Sequence, residues 1–324
     1  MQTLRRRTIL GGVLGLAAVR PGLAQAAEPV VRVDDPRFTA VIDPDARLRT
    51  LYGQGRWCEG PCWVAGLGGL VFSDVKGNRI DLLGGDGLVS PLFAPSNNAN
   101  GNTLDARGRL VTCEHRTRRV VRREADGTVT VLADAYDGKP LNSPNDATLG
   151  PDGAIWFTDP VYGITEPEEG IQAEPAQTAR RVYRIPEPGR VEAMTDAVDQ
   201  PNGLAFSPDG RTLYVSESGA SLNPEGARMV LAFPLSGGRL GPPRTFAALE
   251  AGVPDGLKVD AGGRVYVACL DGVRVFHADG TRLGRIATPG IVGNLAFGGA
   301  DGRRLFIAAG KAIHAIDLKT ATRG

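Results

Sequence analysis

A carboxylate or a side-chain amide recurs six times along this chain in similar company. Glu59 stands in Glu-Gly-Pro, Asn100 or Asn102 in Asn-Gly-Asn, and Asn145 in Ser-Pro-Asn-Asp. Asn202 follows in Gln-Pro-Asn-Gly, Asp255 in Val-Pro-Asp-Gly and Asn294 in Val-Gly-Asn-Leu. Any one of these reads as a turn, because Asn, Asp, Gly and Pro are turn formers. Six in register read differently, since Glu59 is no turn former. Brought together, the six would form an oxygen-rich set without sulfur or imidazole. Such a set suits one hard divalent cation with about six to eight oxygen ligands, calcium first, with magnesium, manganese or zinc as alternatives. Water and substrate would complete the shell.

The elements that must position these residues are visible as a repeat of roughly 40 to 58 residues. A glycine-containing turn leads into a short apolar strand six times. The turns are Gly66-Leu67-Gly68-Gly69, Asp105-Ala106-Arg107-Gly108, Pro151-Asp152-Gly153, Pro208-Asp209-Gly210, Asp260-Ala261-Gly262-Gly263 and Gly299-Ala300-Asp301-Gly302. Asp-Gly and Gly-Gly are hairpin dipeptides because such turns need positive φ. A second hairpin follows at Gly84–Gly87, Ala125–Gly127, Pro188-Gly189, Ser236–Gly238 and Ala278–Gly280, and the sixth repeat lacks one. Four strands per unit, repeated, describe the blade of a β-propeller. The fold class is therefore all-β, a six-bladed β-propeller with a central metal site. The incomplete sixth blade needs a fourth strand, expected from Phe38–Ile42. The six polar residues sit at the heads of the inner strands, which converge on the axis, and the outer turns carry no matching asparagines.

Composition agrees with this and removes other classes. Length alone, 324 residues, would suggest two domains, but glycine at 44 of 324 points to many tight turns in one ring. Lys+Arg 37 against Asp+Glu 36 leaves no electrostatic footprint for nucleic acid or an anionic membrane. There is no Gly-x-Ser-x-Gly elbow, no phosphate-binding glycine loop before a helix and no dinucleotide fingerprint.

Residues 1–26 read as a cleaved export signal. Arg5-Arg6-Arg7 precedes Thr8, the apolar run Ile9–Val19 and Ala24-Gln25-Ala26, with cleavage expected after Ala26. The run is too short to span a bilayer, which takes about 20 residues. Paired arginines before Thr-Ile-Leu read as a twin-arginine signal, with a general-secretion signal as the alternative. Residues 27–324 then form a single propeller domain, periplasmic or secreted, with the twin-arginine export machinery as a partner. That compartment permits a disulfide between Cys58 and Cys62, provided the chain bends at Gly60-Pro61.

Several motifs carry a resemblance. Glu59-Gly60-Pro61, Asn142-Ser143-Pro144-Asn145-Asp146, Trp156-Phe157-Thr158-Asp159-Pro160, Pro201-Asn202-Gly203-Leu204-Ala205-Phe206-Ser207-Pro208-Asp209 and Pro254-Asp255-Gly256 resemble the gluconolactonase / senescence marker protein / luciferin-regenerating enzyme family, bacterial gluconolactonases most of all. The resemblance runs from about Arg56 to Ile316 and implies a six-bladed propeller that hydrolyses a sugar lactone with one divalent metal. Carried over by motif, Glu59, Asn202 and Asp255 would be metal ligands, with Asn145 a fourth ligand or a substrate contact. Asp255 would also shuttle the proton. Ser143 stands two residues before Asn145, where the animal members carry arginine.

The expected reaction is hydrolysis of a cyclic ester, with the cation polarising the carbonyl and a carboxylate activating water. His115, in Cys113-Glu114-His115, is the alternative base. Asn102, Asn145, Asn294 and Asp159 are expected substrate contacts. A phosphotriesterase-like hydrolase on the same ring and a non-catalytic sugar-binding propeller are the other readings. Tyr162–Arg181, with four glutamates and no apolar period, reads as a surface loop that either covers the pocket or is simply solvated. The export reading gives the first prediction. Changing Arg6 and Arg7 together to Lys should leave uncleaved precursor in the cytoplasm, and normal cleavage and export of that variant would assign the general-secretion route.

Overall fold

The structure, a computed structural model, describes residues 29–322. The export segment and its cleavage site lie outside the described residues. Six antiparallel sheets, each of four strands or more, follow one another around a ring, and each is laid from the axis outward. The first blade comprises Cys58–Val64, Gly69–Asp74, Arg79–Leu83 and Val89–Phe93. The inner strands of the next five are Ala99–Leu104, Ala147–Leu149, Pro201–Phe206, Leu257–Val259 and Val292–Gly298. Second strands such as Gly69–Asp74, Ile155–Asp159 and Val265–Cys269 are buried along their whole length. Neighbouring blades cover both of their faces, which is why they read as apolar runs and not as alternations. Aromatic pairs join the blades, including Trp156 edge-on to Phe206 at 5.2 Å, Tyr266 edge-on to Phe297 at 5.0 Å and Trp63 stacked on Phe306 at 5.6 Å.

The ring closes with a strand from ahead of the first repeat, but that strand is not Phe38–Ile42. Arg49–Tyr52 pairs with Ala312–Asp317, placing Arg49 against Ala315 and Thr50 against His314. His314 is buried there and meets Thr50 Oγ1 at 3.0 Å. Phe38 lies in a 3₁₀ helix, Pro36–Ala40, opened by Asp35, whose side chain accepts a hydrogen bond from the Arg37 N–H. Proline at the first helical position favours that turn and could not donate to a strand ladder. The apolar character of the segment serves core packing instead. Phe38, Val41 and Ile42 are fully buried, against Leu283, Ile286 and Ile316 among others. Gly284 makes room, since a Cβ there would fall 2.5 Å from the Phe38 ring. Val31–Val33 adds a fifth strand to the fifth blade beside it.

Cys58 and Cys62 are both buried and no disulfide joins them. The expected bend is present as a one-residue bulge, with Gly60 at φ 49°, yet the strand rejoins its ladder on both sides. Cys58 faces Asp74 and Cys62 faces Val71, so the bulge never folds the two cysteines together.

Two consequences of this topology matter for the site. All inner strands start at one end of the ring, and every connection between a second and a third strand returns to that same end. Phe38→Ala tests the packing of this segment against the core. Emptying so complete a burial costs about 3–5 kcal/mol, so the variant should melt several degrees lower while retaining a β-sheet far-UV spectrum.

Candidate active site

At the end of the ring where the inner strands begin, a cavity of about 290 Å³ opens toward the axis. Glu59, Asn100, Asn145, Asn202 and Asp255 line it, one from each of the first five blades. Trp57, Lys76, Tyr162, Glu166, Glu169, Ser221 and Val253 form the rest of its wall.

The Asn-Gly and Glu-Gly steps are not turns. Asn202 and Gly203 lie inside the strand Pro201–Phe206, and a Cβ on Gly203 would fall 2.6 Å from the Asp255 carbonyl oxygen. Gly60 likewise leaves room for the Asn100 carbonyl, 2.0 Å from where its Cβ would stand. Glycine here allows inner strands to crowd the axis and so brings their polar neighbours together.

The electrostatics follow from that crowding. Glu59 is 3% exposed and accepts a bond from the Gly60 N–H at 3.0 Å. Burial holds its carboxyl well above the usual range, and the negative charge of Asp255 pushes the same way. Asp255 is raised by burial first and then by Asp146 and Glu169, while a hydrogen bond from Asn202 opposes the rise. Lys76, the only lysine in the wall, lies 3.5 Å from Glu169 and 5.6 Å over the Trp57 ring. Burial also lifts Glu169, to about 7, against the lowering effect of Lys76. Two buried carboxylates flanked by amide oxygens thus lack a partner cation of their own. Among the described residues no three His, Cys, Asp or Glu side chains group as a metal would need them, so any ion here would be held by carboxylates and amides together.

Three expected contacts sit elsewhere. Asn102 is buried behind the cavity, donating to Gly60 O, Ser73 Oγ and Asn100 O and accepting from Thr112 Oγ1 at 2.8 Å. Of the two candidates in the second blade, Asn100 is the one that reaches the cavity. Asn294 is committed to Asp146 at 3.2 Å, to the Leu295 N–H at 2.8 Å and to Lys258 Nζ at 3.4 Å. Asp159 is fully buried and accepts the backbone N–H groups of Asn142 and Ser143, each at 2.8 Å. It fixes the loop that carries Asn145, and burial pushes its carboxyl up to about 7 against those two bonds.

His115 is also withdrawn from the cavity, with no exposed surface. Its Nδ1 lies 3.2 Å from the Glu169 carbonyl, which can only accept, so Nδ1 carries the proton. Nε2 then accepts from Asn100 Nδ2 at 3.3 Å. Burial lowers its pKa to about 4, and both ring nitrogens are engaged, Nδ1 with the Glu169 carbonyl and Nε2 with Asn100.

The Tyr162–Arg181 segment covers part of the cavity. Tyr162–Thr165 is a single helical turn, and Gln177 ties the far end down by donating to three carbonyls of the preceding hairpin. Lys76, Tyr162, Glu169 and Ser221 carried no motif in the sequence. Their signal was topological, because each lies in a connection between a second and a third strand. Trp57, from the segment just ahead of the first inner strand, stands in the wall as well.

The family model described as SMP-30/Gluconolactonase/LRE-like region matches residues 57–311. A gluconolactonase from Zymomonas mobilis is 32% identical over 311 residues, covering 88% of this chain and 85% of that one. A pentonolactonase from Haloferax volcanii is 27% identical, covering 83% and 84%. The solved structure of a gluconolactonase from Xanthomonas campestris superposes with a TM-score of 0.83 at 43% identity, covering 89% of this chain and 94% of that one. With the match running from the first blade into the sixth, over most of the chain, the chain belongs to the SMP-30/gluconolactonase/LRE-like family.

Proposed function

We propose that this protein hydrolyses a sugar lactone at the axial cavity, with a divalent cation held by Glu59, Asn145, Asn202 and Asp255. The observation that carries the reading is the meeting of those four side chains in one cavity. The donor chemistry fits the ion, because both carboxylates are buried, Asp255 raises the cost of ionising Glu59, Asp146 and Glu169 raise that of Asp255, and a cation would relieve both. Oxygen donors alone suit calcium first, and magnesium or manganese next. The lactonases among its relatives support the reaction class. The basic-then-apolar N-terminal sequence supports a site of action outside the cytoplasm.

When bound, such an ion supplies a Lewis acid for the ester carbonyl. The chain's own residues do the rest. Glu59 and Asp255 concentrate negative charge at the axis and define where the reacting carbonyl must lie. Asn202 turns Asp255 toward the cavity through their hydrogen bond. Asp255 is the carboxylate placed to take a proton from the attacking water and hand it to the ring oxygen as the ester opens. Asn100, oriented by His115, and Asn145, whose N–H donates to Thr158 O at 2.9 Å, offer polar contacts to ring hydroxyls. Tyr162 and Glu169 keep part of the mouth closed to water.

Two variants test this. Glu59→Gln keeps one oxygen and the size but removes a charge, so calorimetric calcium affinity should fall at least tenfold in a protein that still folds. Undiminished affinity would remove Glu59 from the ion site. Asp255→Asn, assayed on gluconolactone after the metal has been restored, should lose about 10²–10⁴-fold in kcat with a much smaller change in KM. His115→Gln should cost far less. The reverse ranking would transfer the base role to His115, and a phosphotriester turned over faster than gluconolactone would change the reaction class.

A further inference from the structure

A second cavity, of about 360 Å³, adjoins the first and shares Ser221, Val253 and Asp255 with it. Its character is different. Ala220 and Pro224 come from the connection between the second and third strands of the fourth blade, and Leu270 from the corresponding turn of the fifth. Ile291 and Val292 come from the start of the sixth inner strand. Among the described residues no carboxylate other than Asp255 lines it, and the one cation among them, Arg228, spends a guanidinium N–H on the Pro224 carbonyl. Leu270 and Ile291, from different blades, remain 49% and 47% exposed on the same rim.

We propose that this cavity is a subsite for an alkyl substituent on the lactone ring. The inference rests on the lactonase reading and names the substrate class more narrowly. A cavity of this size lies in the range of small-ligand pockets, about 300–1,000 Å³. Through the shared Asp255 wall, a ring held at the axial site would direct a side chain into it. The hydroxyls of a sugar would find only the shared Asp255 wall, the Ser221 hydroxyl and Arg228 as side-chain partners there, and every unmatched one would lose its water. A methylene chain would instead cover Leu270 and Ile291, each CH₂ adding about a fourfold gain in binding. Gly252, at φ 69°, lets Leu270 lie close, a Cβ there falling 2.8 Å from the Leu270 Cβ, so this wall is fixed before a ligand arrives.

The test compares δ-lactones of increasing alkyl chain length with gluconolactone, on wild type and on Leu270→Gln. In wild type kcat/KM should climb about fourfold per methylene until the cavity is filled. Leu270→Gln should flatten that climb, costing the longest substrate about tenfold and leaving gluconolactone unchanged. Ile291→Gln repeats the test should Leu270→Gln fold poorly. Gluconolactone turnover without any rise along the alkyl series overturns the subsite and leaves the lactonase reading intact. If no lactone is hydrolysed, calorimetric titration with the matching 5-hydroxyalkanoates decides instead. Affinity that rises with chain length and is flattened by Leu270→Gln supports the subsite, whereas flat affinity removes it.

Discussion

Two carboxylates buried at one axis are the constraint around which the rest of this protein is arranged. A carboxylate leaves water at a cost that only hydrogen bonds or an opposite charge can offset. Glu59 receives a single hydrogen bond from Gly60, and Asp255 receives help from Asn202 and from the Gly256 backbone. Asp255 and Asp146 raise Glu59 further, and Asp146 and Glu169 raise Asp255, so the pair is held in place against the surrounding electrostatics. A fold can keep such an arrangement only when the backbone beneath it cannot yield. The converging inner strands supply that rigidity, because glycines let them approach until carbonyl and Cα nearly touch.

Behind the cavity lies a layer of polar residues whose work is positional. Asn102, Thr112 and Ser73 link the inner and second strands of the first two blades, and Asn294, Asp146 and Lys258 tie together the inner strands of the sixth, third and fifth. Asp159 holds the loop before Asn145, and His115 spans the gap between Asn100 and the Glu169 carbonyl. A buried polar atom left without a partner costs about 1–3 kcal/mol. These residues are instead bonded on their available atoms, so they transmit the rigidity of the sheets to the cavity wall. Activity can therefore depend on side chains that never meet substrate.

The period of the turns and the heads of the inner strands were legible because both obey local rules. Hairpin dipeptides need positive φ, and equal positions on radial strands must meet at the axis. What remained hidden depended on which way a side chain faces. Asn100 and Asn102 sit two apart in one strand and so share a face in simple alternation, yet the irregular register between Ala99 and Asn102 sends one to the cavity and the other behind it. His115 lies one residue beyond its strand, where sequence cannot distinguish a pocket wall from a buried brace. Phe38–Ile42 has the apolar content of a strand, and only Pro36 at the helix start argued for a 3₁₀ turn. The wall residues Lys76, Tyr162 and Ser221 belong to connections with no shared motif, but the end of the ring to which they belong was fixed by strand parity alone.

That parity separates two tasks within one surface. The inner-strand heads are short, glycine-flanked and locked by neighbouring blades, so a substitution there disturbs the whole axis. The connections between second and third strands reach the same end of the ring from outside and meet one another through side chains, Lys76 with Glu169, His115 with the Glu169 carbonyl and Tyr162 with Ser221. They can differ in length and polarity from blade to blade without altering the carboxylate pair. In this chain the third-blade connection is long and acidic over the axial cavity, while the fourth and fifth present Pro224 and Leu270 to its neighbour. The chemistry is thus set by the strands and the shape of the acceptable substrate by the loops, with Asp255 standing in both walls as the point where the two meet.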